Sequence, residues 1–353
     1  MTTVVLGMPG LKPDAHHAPD RPADPRLIDR FGRVAQDLRV SVTDRCNLRC
    51  SYCMPEEGLD WLAGPDRLTD AEVVRLIGIA VTRLGVRQVR FTGGEPLLRR
   101  GLEAIIRGTV ALHPRPEISL TTNGIGLARR AAELGASGVD RLNISLDTLR
   151  PDRFEAISRR DRLADVLAGL ASARTAGLTP VKVNSVLLRG VNDDEAPDLL
   201  RFALANNYQL RFIEQMPLDA QHGWDRGRMV DVEEILRSLR AEFDLRPDPR
   251  RRGAAPAELW LVNGGPARVG VIGSVTRPFC GTCDRTRLTA DGQIRSCLFA
   301  ATETDLRGML RAGASDGEIA ERWREAMWSK APGHGINEPG FLQPSRPMSA
   351  IGG

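Results

Sequence analysis

An α/β fold built on a parallel sheet is the architecture this sequence predicts, and three observations predict it. Apolar runs of strand length alternate with stretches of helical period from about residue 31 to 217, the alternation recurs as six βα-type units, and the residues able to do chemistry fall just after the strands. Right-handed crossovers between such strands give either an open, doubly wound sheet or a complete or partial barrel, and each of these places ligands at the C-terminal ends of its strands.

The elements follow in order. Residues 1–30 are rich in Pro, Asp, Arg and His without apolar period and read as a flexible N-terminal tail. Leu38–Val42 is the first strand, and residues 69–84 form a helix announced by a Thr-x-x-Glu capping box at Thr69 and Glu72. Further strands are expected at Gln88–Phe91, Glu117–Thr121, Arg141–Ser145, Val181–Leu187 and Gln209–Glu214, with helices near 100–112, 127–135, 161–176 and 195–206. Together these make a core over 31–217.

After residue 217 the rhythm changes. A helix near 231–243, an Arg/Pro-rich link at 246–256, short strands at 258–262 and 267–272, a hairpin-like Arg287–Arg295 and helices near 303–312 and 316–329 read as a second, smaller α+β domain over 218–340. A Pro/Ser/Gly tail over 341–353 ends in Gly352-Gly353.

All six cysteines fall in two groups, Cys46, Cys50 and Cys53 (C-x3-C-x2-C) and Cys280, Cys283 and Cys297 (C-x2-C-x13-C). Thiolates at these spacings, without histidines beside them, suit iron–sulfur clusters, and three ligands leave one iron of a cubane open to a small molecule. Disulfides are disfavoured in a long chain with no secretory signal, and structural zinc needs a fourth protein ligand that neither group supplies.

The first group, within Asp44-Arg-Cys46-Asn-Leu-Arg-Cys50-Ser-Tyr-Cys53, resembles the cluster loop of the radical S-adenosylmethionine (SAM) superfamily. The resemblance implies a partial (β/α)6 TIM-like barrel, a [4Fe–4S] cluster on Cys46, Cys50 and Cys53, and SAM beside Tyr52, Gly94 of the Gly93-Gly94-Glu95-Pro96 turn, Ser145 and Met216. The second group, Cys280-Gly-Thr-Cys283-Asp-Arg-Thr-Arg287 through Cys297-Leu-Phe, resembles the C-terminal motif of the GTP 3′,8-cyclase family of molybdenum cofactor synthesis, as does most of the span from Leu38 to Phe299. That implies a second [4Fe–4S] cluster on Cys280, Cys283 and Cys297. It further implies GTP held by Arg39, Arg90, Thr121, Lys182, Arg285, Thr286 and Arg287, catalytic roles for Arg285, Arg287, Gly352 and Gly353, and a C-terminal double glycine inserted toward the active site. Expected with it are a homodimer, an electron donor and transient contact with cyclic pyranopterin monophosphate synthase.

The residues themselves support part of this assignment. Arg39, Arg90 and Lys182, with Arg211 as a weaker case, lie in apolar strand segments where an unpaired charge is costly without an anionic partner or an aqueous cavity. Lys182 is one of three lysines beside 46 arginines (49 minus 3), a bias that GC-rich coding explains without phosphate binding. Net charge of +4 is spread along the chain, which argues against a nucleic-acid-binding sensor. Radical SAM peptide and sulfatase modifiers usually carry more than three additional cysteines, which argues against that class. No apolar run approaches the roughly 18 residues that cross a bilayer, so a cytoplasmic protein is expected.

Overall fold

The computed structural model describes residues 21–352. Its strands form one sheet of twelve, in the order β12-β11-β10-β1-β2-β3-β4-β5-β6-β9-β8-β7. The first six are β1 (Asp37–Ser41), β2 (Gln88–Thr92), β3 (Glu117–Thr122), β4 (Arg141–Ser145), β5 (Val181–Val186) and β6 (Gln209–Ile213), all paired in parallel as expected. Between them run α1 (Asp70–Leu84), α2 (Leu102–Val110), α3 (Leu127–Ser137), α4 (Pro151–Ser158), α5 (Leu163–Thr175) and α6 (Ala196–Asn206). The capping box of α1 forms as predicted: Thr69 accepts from the Glu72 amide and Glu72 from that of Thr69.

The C-terminal part is less separate than its composition suggests. After α7 (Val232–Arg240), the ribbon β7 (Leu245–Pro247), β8 (Glu258–Val262) and β9 (Arg268–Ile272) joins the sheet through β9, which pairs in parallel with β6. The chain then crosses to the opposite edge, where β10 (Arg285–Leu288) pairs in parallel with β1 and leads into β11 (Gln293–Arg295) and β12 (Thr304–Asp305). Residues 273–284, with Cys280 and Cys283, therefore bridge the two edges of one curved parallel run. The expected second domain is thus the closure of the first, and α8 (Arg307–Arg311), α9 (Asp316–Trp328) and α10 (Met348–Ile351) complete it. Its apolar residues, including Ile294, Leu306 and Trp323, belong to the same core as Leu38 and Phe91.

Period-two alternation sets what each strand offers. In β10, Arg285 and Arg287 point into the sheet's concave side, whereas Thr286 points out and accepts a hydrogen bond at 3.0 Å from the indole of Trp323 on α9. The Thr286 hydroxyl is thus engaged by α9, on the face of β10 opposite Arg285 and Arg287.

The tail expected over 1–30 also requires correction within the described residues. Leu27 is fully buried, Ile28 bridges Val34, and Arg33, salt-bridged to Asp29, donates to the carbonyls of Cys280 (2.7 Å), Ala331 (2.6 Å) and Pro332 (2.9 Å). The segment reads as polar because a single buried leucine gives it no apolar period, and Arg33 just after it works through distant partners. Leu27→Ala is expected to cost about 2–5 kcal/mol in chemical unfolding of the full chain, whereas Leu342→Ala, at a side chain 85% exposed, is expected to stay within about 0.5 kcal/mol of the parent.

Candidate functional site

Two cavities share a wall: one lies beside the cysteine loop at the C-terminal ends of the strands, and the other runs along the sheet as far as Arg285, in register with Asp37 at the start of β1. The inner one, about 180 Å³, is lined by Cys46, Cys50 and Cys53 together with Gly93, Gly94 and Asn123. The other, about 240 Å³, is lined by Arg39, Arg90, Arg211, Arg285, Arg287 and Met216 among others. Tyr52, Cys53, Thr121, Ser145, Asp147 and Met348 face both.

The cysteine loop is held by a turn at Cys50, whose carbonyl accepts from the Cys53 and Met54 amides, and by its neighbours. Amides of Arg49 and Ser51 donate to the carbonyls of Ser158 and Ile157 at the end of α4, 2.9 Å each. Gly94 donates to Thr43 (2.8 Å) and Glu95 to Arg45 (2.7 Å), which pins the Gly-Gly turn beneath the loop. A Cβ on Gly94 would drive into the carbonyl oxygens of Asp44 and Arg45, and Gly93 has a φ of +145°. Buried Glu95 accepts from Thr122 Oγ1 (2.7 Å) and from the amides of Leu97 (2.9 Å) and Asn123 (2.7 Å). Burial raises its pKa to about 7 despite these bonds. Asn123 in turn points its amide at Cys46 Sγ, 3.9 Å away.

Burial pushes the free thiols of the first trio upward, to about 11 at Cys46 and about 12 at Cys53, and raises Cys50 well above the usual thiol range as well. Their anionic forms thus require a bound metal centre. All six thiols are free of disulfides. In the second trio burial alone would raise Cys283, but Arg285 and Lys330 beside it bring it down to about 7.

Electrostatically the larger cavity is lopsided. Arg39, Arg90, Arg211, Arg285 and Arg287 line it, and Lys182, one layer below Asn184 on β5, stands among Arg90, Arg141 and Arg211. Opposing them are Asp37, 3.8 Å from Arg39 and 3.9 Å from Arg90, and Glu117, paired with Arg141 at 2.7 Å. Desolvation and mutual repulsion lower Arg39 to about 9, Arg211 to about 10 and Lys182 to about 7. The Nε atoms of Arg39 and Arg90 and the Oδ1 of Asn184 are buried without a protein partner, so the wall offers two donors and an acceptor for a ligand or water to satisfy. A polyanion fits it.

Gly352 reaches this chamber from the C-terminus. Its carbonyl accepts from Arg287, its φ is +85°, and a Cβ there would strike Ser41 and Thr92. Arg346, paired with Asp291 and Glu303, anchors the tail that delivers it. Gly353 lies outside the described residues.

Three carboxylates at the site carry no role in the sequence reading. Asp147 accepts from Tyr52 Oη and from the Val186 amide, 2.8 Å each. Glu214 takes the amides of Val232, Val275 and Thr276, tying β6 to α7 and to the start of the edge-crossing segment. Glu95 and Asp147 could have been flagged as lone acids at strand ends in an apolar setting, whereas Glu214 has meaning only through residues 275–276.

The chain is similar to known proteins over nearly its whole length. Residues 40–203 match the Radical SAM superfamily and residues 208–336 match Molybdenum Cofactor Synthesis C. The chain is 69% identical to the "GTP 3′,8-cyclase" of Streptomyces coelicolor over 93% of its own length and 96% of that protein. It is 61% identical to the "GTP 3′,8-cyclase" of Mycobacterium marinum and to the "GTP 3′,8-cyclase 2" of Mycobacterium tuberculosis, each over the full length of both chains. Among solved structures, Streptococcus suis SuiB bound to S-adenosylmethionine shares the fold, with a TM-score of 0.54 at 13% identity over 82% of this chain and 69% of that one.

Gly94→Ala is expected to destabilise the fold by about 1–3 kcal/mol, because the displaced groups are backbone, and to cut the iron retained after anaerobic reconstitution. Gly126→Ala, at a φ of +84° with nothing near its Cβ position, is expected to cost about 1–2 kcal/mol through backbone strain alone and to keep its iron.

Proposed function

The chain belongs to the GTP 3′,8-cyclase family of radical SAM enzymes, and from that membership we propose how its two chambers divide the work: the first cysteine trio with SAM occupies the inner one, and GTP lies in the cationic one. It catalyses closure of GTP to 3′,8-cyclo-7,8-dihydro-GTP in molybdenum cofactor synthesis. The observation that carries the division of labour is the shared wall. Tyr52, Ser145, Asp147 and Thr121 face both chambers, so a nucleoside on one side abuts a ribose on the other.

When bound at the first trio, a [4Fe–4S] cluster and SAM supply the 5′-deoxyadenosyl radical that takes hydrogen from the ribose C3′ before C3′ closes on guanine C8. The protein's own contribution is to orient and enclose. Gly94 and Ser145 line the SAM side, Tyr52 is held in the shared wall by its bond to Asp147, and Met216 lines the GTP side. Arg39, Arg90, Arg211, Lys182, Arg285 and Arg287 receive the triphosphate, whose roughly four negative charges match guanidinium forks. Arg287 also holds Gly352, so tail and substrate meet at one guanidinium. Cys280, Cys283 and Cys297 would hold a second cluster beside Arg285 at the cationic chamber, where it would offer a binding position to the guanine end of the substrate.

GTP deuterated at C3′, incubated anaerobically with SAM and dithionite, is expected to yield deuterated 5′-deoxyadenosine; unlabelled 5′-deoxyadenosine, or its formation without GTP, would contradict the proposal. Iron should number about eight per chain, and Cys297→Ala should hold about four and form no cyclised nucleotide.

Lys182 provides a pH test. Its amine loses its proton through about 7 in the free fold but at 10.5 when unfolded, so between those values the unfolded chain binds the extra proton and the penalty shrinks as pH rises. A bound triphosphate reverses the shift. Calorimetric titration with GTP near pH 8 in buffers of different ionisation enthalpy is expected to show proton uptake, and Lys182→Met should abolish it.

A further inference from the structure

Lys330 is only 3% exposed, directly after α9 ends at Trp328, and it belongs to no described ion pair. Its ammonium makes three contacts: the carbonyl of Arg285 at 2.9 Å, that of Cys283 at 3.3 Å, and Cys283 Sγ at 3.3 Å. A buried ammonium without a counter-ion is among the costlier things a fold can hold. Among the described residues no carboxylate lies within ion-pair range of it, and the one neighbour able to carry negative charge is the Cys283 sulfur. A neutral thiol would leave the cation uncompensated; a metal-bound thiolate would not.

The placement is deliberate on both sides. The Lys330 amide caps α9 by donating to Met327 at 3.1 Å, and the next two carbonyls, Ala331 and Pro332, are gripped by Arg33, which also holds the carbonyl of Cys280. Three acceptors in a closed space match the three donors of the ammonium. Arg285 adds a second charged donor to the same sulfur, Nε to Sγ at 3.3 Å. The first trio differs: Cys46 Sγ receives the Leu48 amide at 3.5 Å and the neutral amide of Asn123 at 3.9 Å.

We propose that Lys330 is the charge-compensating residue of the second cluster, holding its reduction potential up by placing a buried positive charge on the Cys283 thiolate. This rests on the two-cluster reading above. Hydrogen bonds and net charge around the sulfurs are among the protein's main levers on cluster potential, and cationic donors act more strongly than neutral ones. The two clusters would then be tuned apart by the fold, the one at Cys283 being the easier to reduce.

The test is an EPR-monitored redox titration of the anaerobically reconstituted full chain, following the signal that GTP perturbs and SAM does not. Lys330→Gln, which keeps length and a donor but removes the charge, is expected to move that signal to more negative potential while the SAM-sensitive signal stays in place. Lys330→Arg is expected to return it toward the parent. An unchanged potential in Lys330→Gln with iron intact would overturn the proposal and leave Lys330 as a backbone clamp. Where Lys330→Gln retains only one cluster, Lys330→Arg decides: about four further irons at the parent potential support the proposal, and loss of the cluster there too overturns it. The two-cluster reading fails separately, on about four irons in the unsubstituted chain and no GTP-sensitive signal.

Discussion

Positive charge enclosed by the sheet, with too few carboxylates to balance it, is the constraint on which the rest of the structure depends. Arg39, Arg90, Arg211, Arg285 and Arg287 come from strands β1, β2, β6 and β10 and converge on one chamber, with Lys182 and Arg141 just below. Asp37 offsets part of this from a distance beyond direct hydrogen bonding. Such an arrangement is tolerable only where water or a polyanion completes it. The family's substrate supplies the polyanion, and the cationic wall fixes which end of it faces inward.

The sheet can carry this load because its C-terminal strands secure both edges. β9 extends one edge and β10 the other, so the segment between them has to span the opening, and it brings Cys280 and Cys283 with it. Buried carboxylates act as internal fasteners for the loops: Glu214 for the start of that segment, Glu95 for the first cysteine loop, Asp147 for Tyr52. Each accepts backbone amides or hydroxyls instead of pairing with the arginines nearby, which leaves the guanidinium groups free for the ligand. Arg33 and Lys330 do the equivalent for the second trio from the protein's two ends.

Much of this was legible in the sequence, and the boundary of legibility has a physical cause. Local signals read correctly: the strand and helix alternation, the Thr69–Glu72 box, the cysteine spacings and the Gly93-Gly94 turn all depend on residues a few positions apart. The side chain of Thr286 turns to the face opposite Arg285 and Arg287, as period-two alternation dictates, and bonds to Trp323. Arg33 was passed over because its partners lie about 250 to 300 positions away, and Leu27 was taken for part of a tail because a lone apolar residue shows no period. Helix α4 escaped notice because it is short and weakly amphipathic, yet its last carbonyls hold the cysteine loop. The merging of the expected second domain into the first sheet is likewise a matter of which edge is left open, and no single segment encodes it.

Anaerobic titration calorimetry of the reconstituted chain with GTP, GMP and guanosine tests the central claim most directly, because the three differ only in the charge offered to the cationic wall. The account predicts affinity falling in that order, with the GTP step weakening as salt is raised. Guanosine binding as tightly as GTP, with no dependence on salt, would contradict it.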